Sequence, residues 1–295
     1  MKFAISERWL IIGAFAVIYI VWGSTYIVNY WAIQVIPPFL MSGSRFFTAG
    51  LLLFLFFKPK QASPITLIQF RNALILGVLF LTIGAGGVVW SEQFIDTGMV
   101  ALLIAFDPLL ILLLLWIIRG KRPKGLSLLG TALGIVGMAL LVDQPQFIAS
   151  KEAIWGLIAI SLSMFSWAFA SIYISTMDLP ASKSRSTAIQ MLGGGMCLFL
   201  VGGVSGEFSK LDFGEINTSF TMSWLYLVLL GSLLAFSSFN YLLTKVSPAK
   251  VATSTYVNPV VALWLGWAFN AEVISNQSLW AAGILLSGVI FINSQ

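Results

Sequence analysis

The chain has 295 residues, of which 59% are apolar and only 9% charged, with a mean hydropathy of +0.95. A soluble globule carries about a quarter charged residues, so this composition excludes one and indicates a polytopic membrane protein. The formal charge of +5 comes from Lys and Arg clustered between apolar segments, which is the positive-inside pattern rather than a nucleic-acid surface. One cysteine, Cys197, excludes an intramolecular disulfide, and the lack of histidine removes haem ligation, His-based metal sites and His-based acid-base catalysis.

In chain order, Lys2 and Arg8 precede an apolar run of about 20 residues without a small-residue cleavage site, which reads as a retained helix. Ten candidate spans follow, near 9–28, 37–57, 72–91, 97–118, 126–142, 153–173, 186–206, 222–242, 249–270 and 278–294. Pro37-Pro38, Pro64, Pro123, Pro180 and Pro248 fall in or beside the linkers, where helices start or stop. With a cytoplasmic N-terminus, thirteen Lys and Arg lie on the inner side and two, Lys151 and Lys210, on the outer; Arg45 falls inside a span. That split favours ten spans with both termini inside.

The fourth span, Thr97 to Ile118, is interrupted once, by Asp107-Pro108. Asp107 lies roughly 15 Å in from Thr97 at 1.5 Å per residue, near the membrane midplane. Asn258-Pro259 recurs 151 positions later, and the same offset lays Trp90 on Tyr241 and Gly137 on Gly288. In the early helices an offset of 145 lays Trp22 on Trp167, Arg45 on Gln190 and Gly50 on Gly195. The expected architecture is therefore an all-α polytopic membrane protein of two five-helix repeats, residues 1–145 and 146–295. Five is odd, so the second repeat enters from the opposite face and the halves are inverted. Inverted repeats place a solute site at the midplane and permit alternating access.

An ionisable group at mid-depth faces a cavity, a partner or a proton path. Asp107 is thus either a proton-coupling residue or a support for the break at Pro108, and Asn258 before Pro259 shows that a neutral residue serves the matching place. Arg45, roughly 12 Å into its span, is read first as a structural polar bridge, with Gln190 its counterpart, and second as a carboxylate clamp or a partner for Asp107. Trp22 to Tyr26 with Asn29, answered by Ser163, Ser166, Trp167, Ser171 and Tyr173, form polar-aromatic stretches. The serines read as interhelical glue and the two tryptophans as walls of a site. Ser91, Glu92 and Gln93 are either a gate at the outer mouth or a hydrated terminus. Gly130 and Gly134, with Gly283 and Ser287, form small-xxx-small patterns for packing or a dimer face.

At WGSTY (Trp22 to Tyr26), SRFFTAG (Ser44 to Gly50), VVWSEQFIDTGMVALL (Val88 to Leu103), SWAFAS (Ser166 to Ser171) and VSPAKVATSTYVNPVVA (Val246 to Ala262), the chain resembles the drug/metabolite transporter superfamily, in its ten-helix EamA-type exporters of the YedA-like branch. The resemblance covers essentially the whole chain. It implies a central cavity lined mainly by helices 1, 3, 4, 6, 8 and 9, with helices 5 and 10 peripheral, and export of amino acids, related metabolites or drug-like compounds across the bacterial cytoplasmic (inner) membrane. The implied solute-binding residues are Trp22, Tyr26, Trp90, Gln93, Trp167, Asn240, Tyr256 and Asn258, with Asp107, Pro108 and Pro259 for proton coupling or gating. No catalytic residue, metal or cofactor is expected. The expected partners are a small solute and the lipid bilayer, without nucleic acid, the chain acting as monomer or homodimer. The alternatives are a lipid-carrier flippase, for which Arg45 is the lone basic group within a span, and an intramembrane enzyme, which lacks a nucleophile with a base.

Overall fold

The computed structural model describes residues 7–57, 64–120, 125–142, 151–252 and 254–293. Grouped by continuity, these form ten helices and no strand: α1 (Glu7–Ile33), α2 (Pro38–Phe56), α3 (Leu67–Ser91), α4 (Thr97–Arg119), α5 (Gly125–Val142), α6 (Lys151–Tyr173), α7 (Lys183–Val204), α8 (Thr218–Leu243), α9 (Pro248–Asn270) and α10 (Asn276–Asn293). Among the described residues seven, α1 to α4 and α6 to α8, are long and apolar enough to cross a membrane. Large apolar side chains lie bare on the outside, Trp9, Ile117 and Trp280 among them, as a lipid solvent requires.

Helix starts fall outside the apolar runs because polar residues cap them. Thr66 and Gln69 form a capping box that begins α3 five residues ahead of the expected 72. Ser182, Asn217 and Ser247 cap α7, α8 and α9 by accepting from the backbone N–H groups of Arg185, Phe220 and Lys250. Two helices take their cap from a distant loop. The Glu207 carboxylate accepts from Phe39 N and Leu40 N at the start of α2, and Glu272 accepts from Thr97 N and Gly98 N at the start of α4.

Helix α2 packs along α7 and α5 along α10. Both contacts need backbones to approach: a Cβ on Gly195 would stand 2.6 Å from Phe47 N, and one on Gly288 2.6 Å from Gly130 O. The expected Gly283-Ser287 face of α10 is not the packed one, since Gly283 meets nothing within 4 Å and Ser287 is exposed. Gly288, one position on, faces Gly130 and Gly134.

Three irregularities shape the centre. Helices α3 and α8 each widen into π-helix, at Val78–Ala85 and Leu227–Leu234. Helix α4 breaks at Ala105 and Phe106, immediately before Asp107-Pro108. Helix α9 differs from expectation: it opens as one turn, Pro248–Val251, and then runs as Ser254–Asn270 straight through Pro259. Pro259 removes one helical hydrogen bond, to the Thr255 carbonyl, and the helix continues past it. With its amide oriented so that both atoms are satisfied, Asn258 donates to Ser254 O at 3.1 Å and to Tyr19 O at 2.9 Å.

Candidate functional site

A cavity of about 130 Å³ lies between the halves of the chain, walled by α1, α2, α3, α4, α6, α8 and α9. Among the described residues none from α5 or α10 lines it, whereas α2 reaches it through Arg45 and Phe46. The irregular segments build the walls. In the π turn of α3 the carbonyls of Leu79 and Ile83 accept from Ser166 Oγ at 2.7 Å and Ser163 Oγ at 3.0 Å, so these serines of α6 hold the widened turn. In the π turn of α8, Gly231 O accepts from Trp22 Nε1 at 3.3 Å and Ser232 Oγ from Arg45 Nε at 2.8 Å.

One side of the cavity is aromatic. Trp22 and Trp167 meet edge-on at 5.6 Å between centroids, and Phe239 stands 5.1 Å from each. Phe80 packs edge-on to Trp167 at 4.9 Å and to Phe236 at 6.0 Å. The other side is polar. Arg45, 5% exposed, donates through a terminal guanidinium nitrogen to Asn29 Oδ1 at 2.6 Å, as well as to Ser232. Its partners are therefore neutral oxygens, and it does not pair with Asp107.

Asp107 lines the cavity at the N-terminus of the second half of α4, where the first-turn N–H groups present positive charge. Its Oδ1 is buried and has no hydrogen-bond partner. Pro108, beside it, is buried in the same turn, and Pro259 is buried in α9.

Of the sequence-derived residues, Trp22, Tyr26, Trp167, Asn258, Asp107 and Arg45 come together in this cavity. Trp90 and Gln93 do not; they line a pocket of about 290 Å³ at the far end of α3, with Glu207 and Lys210. Asn240 and Gln190 lie in a third pocket, where α6, α7 and α8 end. The side chain of Tyr256 falls outside the described residues. In the pocket at the far end of α3 burial raises the Glu207 carboxyl above the usual glutamate range, with the Leu40 and Phe39 amides and Lys210 pulling it partly back.

Sequence reasoning named Glu92 as a gate at the mouth or a hydrated terminus and missed its burial. It is no hydrated terminus: at 1% exposure it lies beside Asn29 and within the field of Arg45, with neither carboxylate oxygen in a formed hydrogen bond. Its place directly after a long apolar run hid this, because the rest of α3 continues into the connection before α4. Asn29 and Ser232 were missed as partners of Arg45; the signal for Asn29 was its place seven residues after Trp22 on the same face of α1, and Ser232 on α8 gave none.

The profile of the EamA-like transporter family matches the chain twice, over residues 8–143 and 154–294. The inner membrane transporter YedA of Escherichia coli K12 is 34% identical over 283 residues, covering 95% of this chain and 89% of that one. Protein PecM of Dickeya dadantii is 26% identical over 274 residues, covering 92% and 88%. A protein of known crystal structure superposes with a TM-score of 0.69 over 98% of both chains at 16% identity, a likeness of fold.

Proposed function

The chain belongs to the EamA-like transporter family, and on that premise we propose that it is a secondary transporter exporting small metabolites across the bacterial cytoplasmic membrane. In this reading the two matched halves are five-helix repeats inverted in the bilayer, with ten crossings and both termini inside. They rock about the central cavity, which opens alternately to each side. The observation that carries the reading is that cavity, closed on one side by an aromatic cluster and on the other by a bonded polar group, with walls from both halves. An apolar cavity of about 150 Å³ admits benzene, so about 130 Å³ suits a solute of few heavy atoms with an apolar part and a polar end.

The break in α4 serves as a gate, and Asp107, unpartnered at its centre, as the site of proton coupling. The protein works without catalytic residue, metal or cofactor. The same superfamily holds lipid-carrier flippases, which need a basic site for a phosphate. Arg45 is committed to Asn29 and Ser232, which speaks against that use.

An untargeted metabolite comparison of medium and cytoplasm, with and without the protein, tests the function. At least one small solute should be depleted inside and enriched outside when the protein is present. An unchanged medium, or enrichment inside, would overturn export.

A further inference from the structure

The third pocket, about 420 Å³, opens where α6, α7 and α8 end. Lys183, Arg185, Lys245 and Lys250 gather at this end of the molecule, which the positive-inside rule makes cytoplasmic. Resting on the transporter reading above, we propose that this pocket is a loading site, distinct from the central cavity, for a small zwitterion carrying an N–H donor and a carboxylate.

The floor of the pocket presents acceptors. Gln190, 1% exposed, uses its amide Nε2 on Ser186 Oγ at 3.2 Å, and its Oε1 is buried without a partner. Buried acceptors are nearly always satisfied, and a ligand N–H supplies what this one lacks. Asn240 uses its own amide N–H on Phe236 O at 3.2 Å, so it too offers its carbonyl oxygen, beside the Thr187 hydroxyl. At the rim Asp178 is anchored, accepting from Gln69 Nε2 at 3.1 Å. Lys183 is exposed and makes no ion pair among the described residues, which leaves its ammonium for a carboxylate.

The pocket at the opposite end also holds one carboxylate and one ammonium, Glu207 and Lys210, but in other positions. The offset of 145 that lays Trp22 on Trp167 also lays Ile33 on Asp178 and Pro38 on Lys183, and Ile33 and Pro38 line that opposite pocket. Its carboxylate, Glu207, is occupied in capping α2. What sets the pocket at the Lys-rich end apart is its buried acceptor without a partner, Gln190 Oε1; among the described residues no such atom lines the opposite pocket. Along α8 the loading pocket and the cavity are neighbours, Asn240 facing one and Phe239 the other. A loaded solute therefore reaches the cavity when the cluster of Phe239, Phe236 and Trp167 parts.

The test is calorimetric titration of the purified full-length chain in detergent with L-methionine, its methyl ester and N-acetyl-L-methionine. L-Methionine should bind, and each derivative should bind about tenfold more weakly, having lost one charged contact. Lys183→Ala should weaken L-methionine about tenfold and leave the ester unchanged. Thr187→Val, which disturbs folding less than a change at Gln190, should weaken both. Lys210→Ala, in the pocket at the opposite end, should alter none of the three affinities. Binding that ignores Lys183→Ala and Thr187→Val, or that follows Lys210→Ala, would overturn the site, and no binding by any probe would overturn its ligand class. Binding here with no solute exchange in vesicles would sink the transporter reading and leave the site standing; exchange without binding here would do the reverse.

Discussion

Trp22 and Trp167, which the sequence offset of 145 makes equivalent, touch each other edge-on, 5.6 Å between ring centroids at 80°. Two points related by a two-fold axis lie at equal distances from it, so equivalent side chains in contact lie beside the axis. On the inverted-repeat reading the tryptophan pair therefore lies beside the pseudo-two-fold axis, and the cavity it borders is shared by the two halves.

A double-mutant cycle checks the pairing. Trp22→Phe and Trp167→Phe keep an aromatic at each place, and their effects on thermal unfolding in detergent should be less than additive by about 0.5–1.5 kcal/mol. Trp22→Phe also removes the indole donor from Gly231 O, about 1 kcal/mol more. Strict additivity would mean that the contact carries no coupling and the pair is only filler.

Much of this site was legible because its residues are individually expensive in a membrane. Asp107, Arg45 and the two tryptophans stand out against an apolar background, and the recurrence of their neighbours at fixed offsets related them. What was illegible is the backbone's own departure from the α-helix. Nothing in Val78–Ala85 or Leu227–Leu234 announces a π turn, yet these turns carry the carbonyls and the Ser232 hydroxyl that fix Ser163, Ser166, Trp22 and Arg45. Pro259 misled in the other sense: a proline inside a membrane helix removes one hydrogen bond, here to the Thr255 carbonyl, and need not break it. Trp90 shares a helix with the cavity glycine Gly84, and Gln93 follows two residues after its end, but both lie beyond the cavity's reach.

Asp107→Asn separates charge from architecture at the α4 break. The isostere keeps the size of the side chain at the head of the half-helix and removes its titration. In reconstituted vesicles solute exchange without a gradient should persist within a few-fold of the parent, while acceleration by a pH gradient disappears. Gradient dependence that survives would assign Asp107 to the helix N-terminus alone.

Glu272 ties the connection before α10 to the first half of the chain. It accepts from Thr97 N at 3.0 Å, Thr97 Oγ1 at 2.7 Å and Gly98 N at 3.1 Å, filling the orphan donors of α4. Glu272→Ala should cost about 1–2 kcal/mol, seen as a lower midpoint of thermal unfolding, and Glu272→Gln should recover part of that. Wild-type stability in the alanine variant would show that the cap is replaced by water.

Glu207 caps α2 in the same manner but from a more enclosed place, 6% exposed, and here pH decides the outcome. Its pKa in the folded chain is raised above the ordinary glutamate value of 4.5, burial outweighing the two amides and Lys210. A raised carboxyl binds its proton more tightly folded than unfolded, so its contribution favours folding below about 4.5 and is lost as pH climbs through the raised value. Glu207→Gln has no such proton to lose and keeps one acceptor for Leu40 N. The variant's thermal midpoint relative to the parent should therefore rise from pH 4.5 to pH 8, even though a charged cap has been removed. A relative midpoint that falls with rising pH would mean that the amide bonds, and not burial, dominate at this helix end.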